Sequence, residues 1–90
     1  MSDDDNGYQH NPAFNEIEWH FDPAADGARW RAWITSTTGE PAELGAYERG
    51  SWFLCRPRSQ YQAVAGGVEA NLESAKQRAF RVWRAMVDTL

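Results

Sequence analysis

Residues 71–88 read NLESAKQRAFRVWRAMVD. At about 100° per residue, Leu72, Ala75, Ala79, Val82, Trp83, Met86 and Leu90 fall in one broad stripe, which Phe80 and Val87 widen. Arg78, Arg81, Arg84 and Asp88 lie on the opposite side, with Lys76 at the boundary. Asn71 has the short polar side chain that caps helix N-termini, and Glu73 places a negative charge where the first-turn dipole favours one. The spacing predicts a helix from Leu72 to about Asp88. Its apolar stripe must be laid across something, and the preceding residues have to supply it.

They supply strands. Asn15–Phe21 (NEIEWHF) alternates strictly, with Ile17, Trp19 and Phe21 on one face and Glu16, Glu18 and His20 on the other. After a turn rich in Pro, Asp and Gly, Arg29–Thr37 (RWRAWITST) sets Trp30, Ala32 and Ile34 against Arg29, Arg31, Trp33 and Thr35. Pairing the two as a hairpin with Phe21 opposite Trp30 also opposes Trp19 to Ala32 and Ile17 to Ile34. On the other face it matches Asp22 with Arg29, His20 with Arg31 and Glu18 with Trp33. A slip of one residue would put Trp19 beside Arg31 and mix the faces, which a half-buried sheet forbids. Glu43–Glu48 reads as a third strand weakened by Gly45, and Trp52–Arg56 as a fourth ended by Pro57. Tyr61–Ala65 adds an edge piece that Gly66-Gly67 is expected to break.

The fold class that follows is α+β: an antiparallel β-meander of three to four strands with one C-terminal helix packed on one face. Residues 1–15, with Asp3-Asp4-Asp5, Gly7 and Pro12, have little to bury and are expected to form a mobile acidic tail. Residues 16–90 form the single domain, since 90 residues leave no room for a second core.

The formal net charge is −4, which disfavours a general polyanion binder. Charge is unevenly placed: residues 1–48 hold ten acids against Arg29 and Arg31, a balance of −8, whereas residues 49–90 hold seven bases against three acids, a balance of +4. No apolar run approaches the ~20 residues of a membrane span, and no secretion signal opens the chain, so a cytoplasmic protein without a membrane partner is expected. A single cysteine excludes an internal disulfide and a Cys-rich zinc site.

Chemistry-bearing constellations are missing. His10 falls in the expected tail, and His20 on a strand has no ligand-spaced neighbour. Cys55 sits in an apolar strand as an inert buried thiol, and Glu16 and Glu18 are ordinary face-mates. Gly66-Gly67 lacks the Lys-Ser/Thr of a phosphate loop. Neither catalysis, nor a cofactor, nor a metal is expected.

What the pattern does offer is a second sheet face. One helix covers one side, leaving Trp33 on the other together with either Trp52 and Leu54 or Phe53 and Cys55. Trp and Arg are the types most enriched at binding hot spots. The candidate partner-binding residues are therefore Arg29, Arg31, Trp33, Trp52 and Arg56, for another protein or for a second copy in a homodimer. The alternative is a nucleic-acid-binding regulator in which Arg58, Arg78, Arg81 and Arg84 contact phosphates while exposed aromatics stack bases.

The stretch Ala65–Lys76, AGGVEANLESAK, resembles the strand-to-helix junction of small phage and prophage proteins, HicB-like partner domains and anti-CRISPR-type inhibitors among them. Gly67-Val68-Glu69 departs from the Gly-Asp-Thr or Gly-Asp-Ser of the HicB-like pattern, so that family's partners do not carry over. The resemblance implies a small acidic protein–protein interaction module, a phage-type inhibitor or regulator of a host protein.

Overall fold

The computed structural model describes residues 11–23, 29–37, 39–56 and 63–88. Within them the alternating segments form strands β1 (His20–Asp22), β2 (Arg29–Thr35), β3 (Pro41–Tyr47), β4 (Ser51–Cys55) and β5 (Ala63–Val68). Helix α1 (Leu72–Asp88) follows, and a single 3-10 turn, Phe14–Glu16, precedes β1. The strands lie in the order β1-β2-β3-β4-β5 with every neighbouring pair antiparallel. The fold is thus the expected α+β meander, with one strand more than three to four.

The first hairpin takes the register that face parity requires: Phe21 opposes Trp30, His20 opposes Arg31 and Asp22 opposes Arg29. Its leading strand is shorter than the alternation suggests. Phe14–Glu16 instead closes a turn in which Glu16 N–H donates to the Ala13 carbonyl at 2.9 Å and Ala13 N–H donates to Glu16 Oε1 at 2.8 Å. Tertiary packing decides this. The Phe14 ring meets Phe80 of α1 edge-on at 5.6 Å, and Ile17 is buried in the core, so the chain bends toward the helix instead of extending the ladder. Asn11 Oδ1 accepts from Thr37 N–H at 2.9 Å, which ties the same segment to the end of β2. Residues 1–10 of the expected acidic tail lie outside the described residues.

Strand β5 also departs from expectation, because it runs through Gly66-Gly67 (Tyr61 lies outside the described residues). Gly67 faces Trp52 across the ladder, and a Cβ there would sit 2.9 Å from the indole Nε1. The glycine is the floor on which Trp52 rests, so it preserves the strand instead of ending it. Between β3 and β4, Gly50 N–H donates to the Tyr47 carbonyl at 2.9 Å with φ +108°. That left-handed backbone suits only glycine, and Glu69 N–H donates to the Gly50 carbonyl at 2.8 Å, joining this turn to the end of β5.

Helix α1 begins as its sequence indicates: Asn71 Oδ1 accepts from Ser74 N–H at 2.8 Å. Its stripe packs on the sheet face carrying Ala32, Ile34, Leu44, Ala46, Trp52 and Leu54. Ala75 and Ala79 let the helix backbone approach closely, and Trp83 fills the space beyond them; Trp83, Leu44 and Leu54 are the largest fully buried side chains. At the helix margin Lys76 lays its stem over the core edge and holds Nζ 4.6 Å from the Trp30 ring and 5.4 Å from that of Trp19.

Trp83 Nε1 is buried without a hydrogen-bond partner among the described residues, so the side chain stabilises by volume alone. Trp83→Ala is expected to cost about 3–5 kcal/mol, much of the total stability of a small domain. Trp83→Phe, which removes the unsatisfied N–H along with some volume, is expected to cost less than half as much. Urea denaturation of the two variants beside the parent checks both.

Candidate functional site

Period-two geometry gives the sheet a second face, and β2 puts Arg29, Arg31 and Trp33 on it. Across the ladder these oppose Tyr47, Gly45 and Glu43 of β3, and Gly45 and Glu43 in turn oppose Phe53 and Cys55 of β4. Gly45 has no side chain to stand in the way, and the Phe53 ring lies down in the gap; a Cβ on Gly45 would run into that ring. Phe53 in turn supports Arg29, whose guanidinium stands 5.5 Å from the Phe53 ring and 6.0 Å from that of Tyr47.

Carboxylates fix the arginines. Arg31 Nε donates to Glu43 Oε2 at 2.6 Å, while its Nη1 lies 3.5 Å from Asp22 Oδ2. Arg29 Nη2 reaches the same Asp22 oxygen at 3.4 Å. Glu43 is only 3% exposed, so Arg31 is the group that makes a buried carboxylate tolerable. The hydrogen bond to Glu43 accordingly holds the Arg31 guanidinium above its already high pKa, against an opposing effect of burial. The Arg31 guanidinium also stands 4.9 Å from the Trp33 ring, and the His20 ring lies 5.7 Å from it in a tilted contact. Trp33 itself remains 54% exposed.

The expected partner-binding set is therefore only partly assembled. Arg29, Arg31 and Trp33 converge on the outer face. Arg56 stands at the far end of β4, its Nη2 3.5 Å from Glu40 Oε1. Trp52 does not belong there: β4 alternation turns it toward α1, where it is 8% exposed, and Phe53 takes the outer position. That choice followed from the pairing of Phe53 with Gly45, a signal present in the sequence but unreadable until the two strands are in register. Glu43 and Tyr47 were missed altogether, since acids and aromatics in a strand read as weak carry no marker of burial.

The helix arginines stand apart, on the side of α1 away from the sheet. Arg78 Nε lies 3.6 Å from Glu69 Oε2, and Arg84 Nε lies 3.3 Å from Asp88 Oδ2, one helical turn on. Arg84 also donates to the Pro12 carbonyl at 3.4 Å. Arg81 borders a shallow groove of roughly 280 Å³ with Phe14, Gln77 and Phe80. Arg58 lies outside the described residues.

Cys55 is buried, and desolvation, with the Glu43 carboxylate adding to it, pushes its thiol above the ordinary 9.0. Among the described residues no three His, Cys, Asp or Glu side chains converge as metal ligands would. No helix in them is long and apolar enough to cross a membrane. The chain matches no known protein family, no curated protein and no solved structure.

Two outcomes follow from this geometry. Arg31→Met strands the Glu43 carboxylate and is expected to cost about 3 kcal/mol, while adding Glu43→Leu restores most of it; denaturant midpoints of the double-mutant cycle report the coupling. For Cys55, a thiol held neutral by burial, alkylation by iodoacetamide at pH 8 is expected to be slow in the native protein and fast in urea. The raised pKa also means that the unfolded state loses its thiol proton first, so stability falls as pH rises past about 9.0. A Cys55→Ala variant should lack that fall.

Proposed function

We propose that the chain is a small, acidic, non-enzymatic protein-binding module whose recognition surface is the outer sheet face centred on Trp33. The observation that carries this is a large indole, 54% exposed, in contact with Arg31 and His20 on a face that α1 leaves bare. Exposed apolar side chains contribute little to folding, whereas an aromatic locked by its neighbours loses little entropy on binding. The surrounding arginines already have carboxylates at 2.6–3.5 Å, so the patch presents matched charges around an aromatic ridge. That pattern suits a protein surface better than a polyanion, which rewards unmatched cations.

The same consideration weakens the nucleic-acid alternative on α1, where Arg78 and Arg84 stand beside Glu69 and Asp88. The resemblance of the 65–76 junction to small phage and prophage proteins supports the narrower role of an inhibitor or regulator acting on a host protein.

Trp33→Ala tests the proposal. The variant is expected to melt within a few degrees of the parent, equivalent to less than about 1 kcal/mol for a domain of this size, and to lose proteins that the parent retains from a cell extract. Arg78→Ala/Arg81→Ala should retain them. A large drop in melting temperature for Trp33→Ala would make the indole structural and overturn the assignment. Filter binding of single- and double-stranded DNA and of RNA at low salt supplies the opposing arm: retention that falls steeply with salt and depends on Arg78 and Arg81 would transfer the function to the helix.

A further inference from the structure

β1 covers only part of β2. It begins at His20, opposite Arg31, whereas β2 continues to Thr35 and pairs with β3 along its whole length. The direction of the uncovered backbone follows from two bonds just past the end of β2. Ser36 N–H donates to the Glu40 carbonyl at 3.0 Å in the β2–β3 register, and antiparallel ladders alternate bonded and non-bonded pairs. The even-numbered residues of β2 therefore bond to β3, and the odd-numbered ones turn their N–H and C=O toward the β1 side. Thr37, next in the odd series, agrees, since its N–H is met by Asn11 Oδ1 at 2.9 Å and not by β3. Arg29 and Arg31 have Asp22 and His20 opposite them on that side, which leaves Trp33 and Thr35 in a gap. Among the described residues no hydrogen bond reaches their backbone from the chain before β1, and both residues are exposed.

The chain that can fill this gap adjoins it. In the register of the first hairpin Glu18 falls opposite Trp33 and Glu16 opposite Thr35. Ile17 and Trp19 then keep to the helix side, where Ile17 is already buried and Trp19 already packs on the core. What holds the segment off is slack. From His20 back to Asn11 is nine residues, whereas from Arg31 to Thr37, their counterparts across the gap, is six. The excess of three is taken up by the three-residue turn Phe14–Glu16.

We infer that residues 16–19 are a strap with two states. The open state is the one in the structure. In the closed state the turn unwinds, β1 extends by pairing Glu18 with Trp33 and Glu16 with Thr35, and the slack passes toward Asn11. The two states are closely matched in bonding. The open strap has three turn hydrogen bonds (Glu16 N–H to the Ala13 carbonyl, Ile17 N–H to the Phe14 carbonyl and Ala13 N–H to Glu16 Oε1) and the Phe14–Phe80 contact. The closed strap exchanges these for up to four cross-strand bonds, two from each bonded pair. Closure leaves the helix side as it is and changes the outer face, setting Glu18 directly across from Trp33 and diagonal to Arg31. The strap thus governs whether an acid faces the exposed indole, and it does so whatever the outer face binds.

Amide hydrogen exchange and NOE spectra of the full chain, read residue by residue by NMR, test this. Two variants remove open-state contacts. Glu16→Thr takes away the carboxylate that accepts from Ala13 N–H and supplies a β-branched residue, and Phe14→Ala takes away the ring against Phe80. In each, the Trp33 and Thr35 amides are expected to exchange more slowly than in the parent by about tenfold or more. An Hα–Hα NOE between Ile17 and Ile34, a non-bonded pair of the extended ladder, should appear with it. Adding Glu18→Pro removes an N–H that the closed ladder needs and should abolish both changes. The amides of Ala32 and Ile34, bonded to β3, report that the sheet is intact throughout; if one variant loses their protection, the other decides. With those amides protected, exchange at Trp33 and Thr35 that is unchanged or faster overturns the inference. Slow exchange that survives Glu18→Pro overturns it too, because something other than the strap then fills the gap.

Discussion

Adjacent residues of a strand must point to opposite faces, and in β4 two of those adjacent residues are Trp52 and Phe53. Each is too large to stand upright over a sheet this small, and each lies flat because the strand beside it places a glycine opposite: Gly67 under the indole on the helix side, Gly45 under the phenyl ring on the outer side. The helix can dock only over a floor made level by the first of these arrangements. The second lets Phe53 join Tyr47 in supporting Arg29. The two faces are thus set by one pair of side chains, and neither glycine tolerates a side chain without shifting the aromatic beside it.

Electrostatics then separates the faces. The inner one is aliphatic and aromatic, with Lys76 only at its margin. The outer one buries a carboxylate, Glu43, and bridges Asp22 to both arginines of β2. Two arginines sharing acids on neighbouring strands restrict one another's rotamers, which raises the rigidity of the patch at little cost in stability. A chain of net charge −4 in this way presents arginines on a surface that is locally close to neutral.

The parts of this architecture legible in the sequence are those governed by periodicity and parity. The helix, its asparagine cap, the meander order and the register of the first hairpin all follow from spacing alone, because a half-buried sheet and an amphipathic helix permit one phase each. What was illegible depended on contacts between distant residues. Phe14 meeting Phe80 converts the start of the first strand into a turn. Trp52 lying on Gly67 turns an apparent strand breaker into a strand. The phase of β4 could not be read because its partner strand, ELGAYE, has Gly45 at the one position whose side chain would have declared a face. Arg29, Arg31 and Trp33 share one face for the same reason that the register is legible: their strand alternates cleanly. Trp52 was misplaced because the phase of its strand was open.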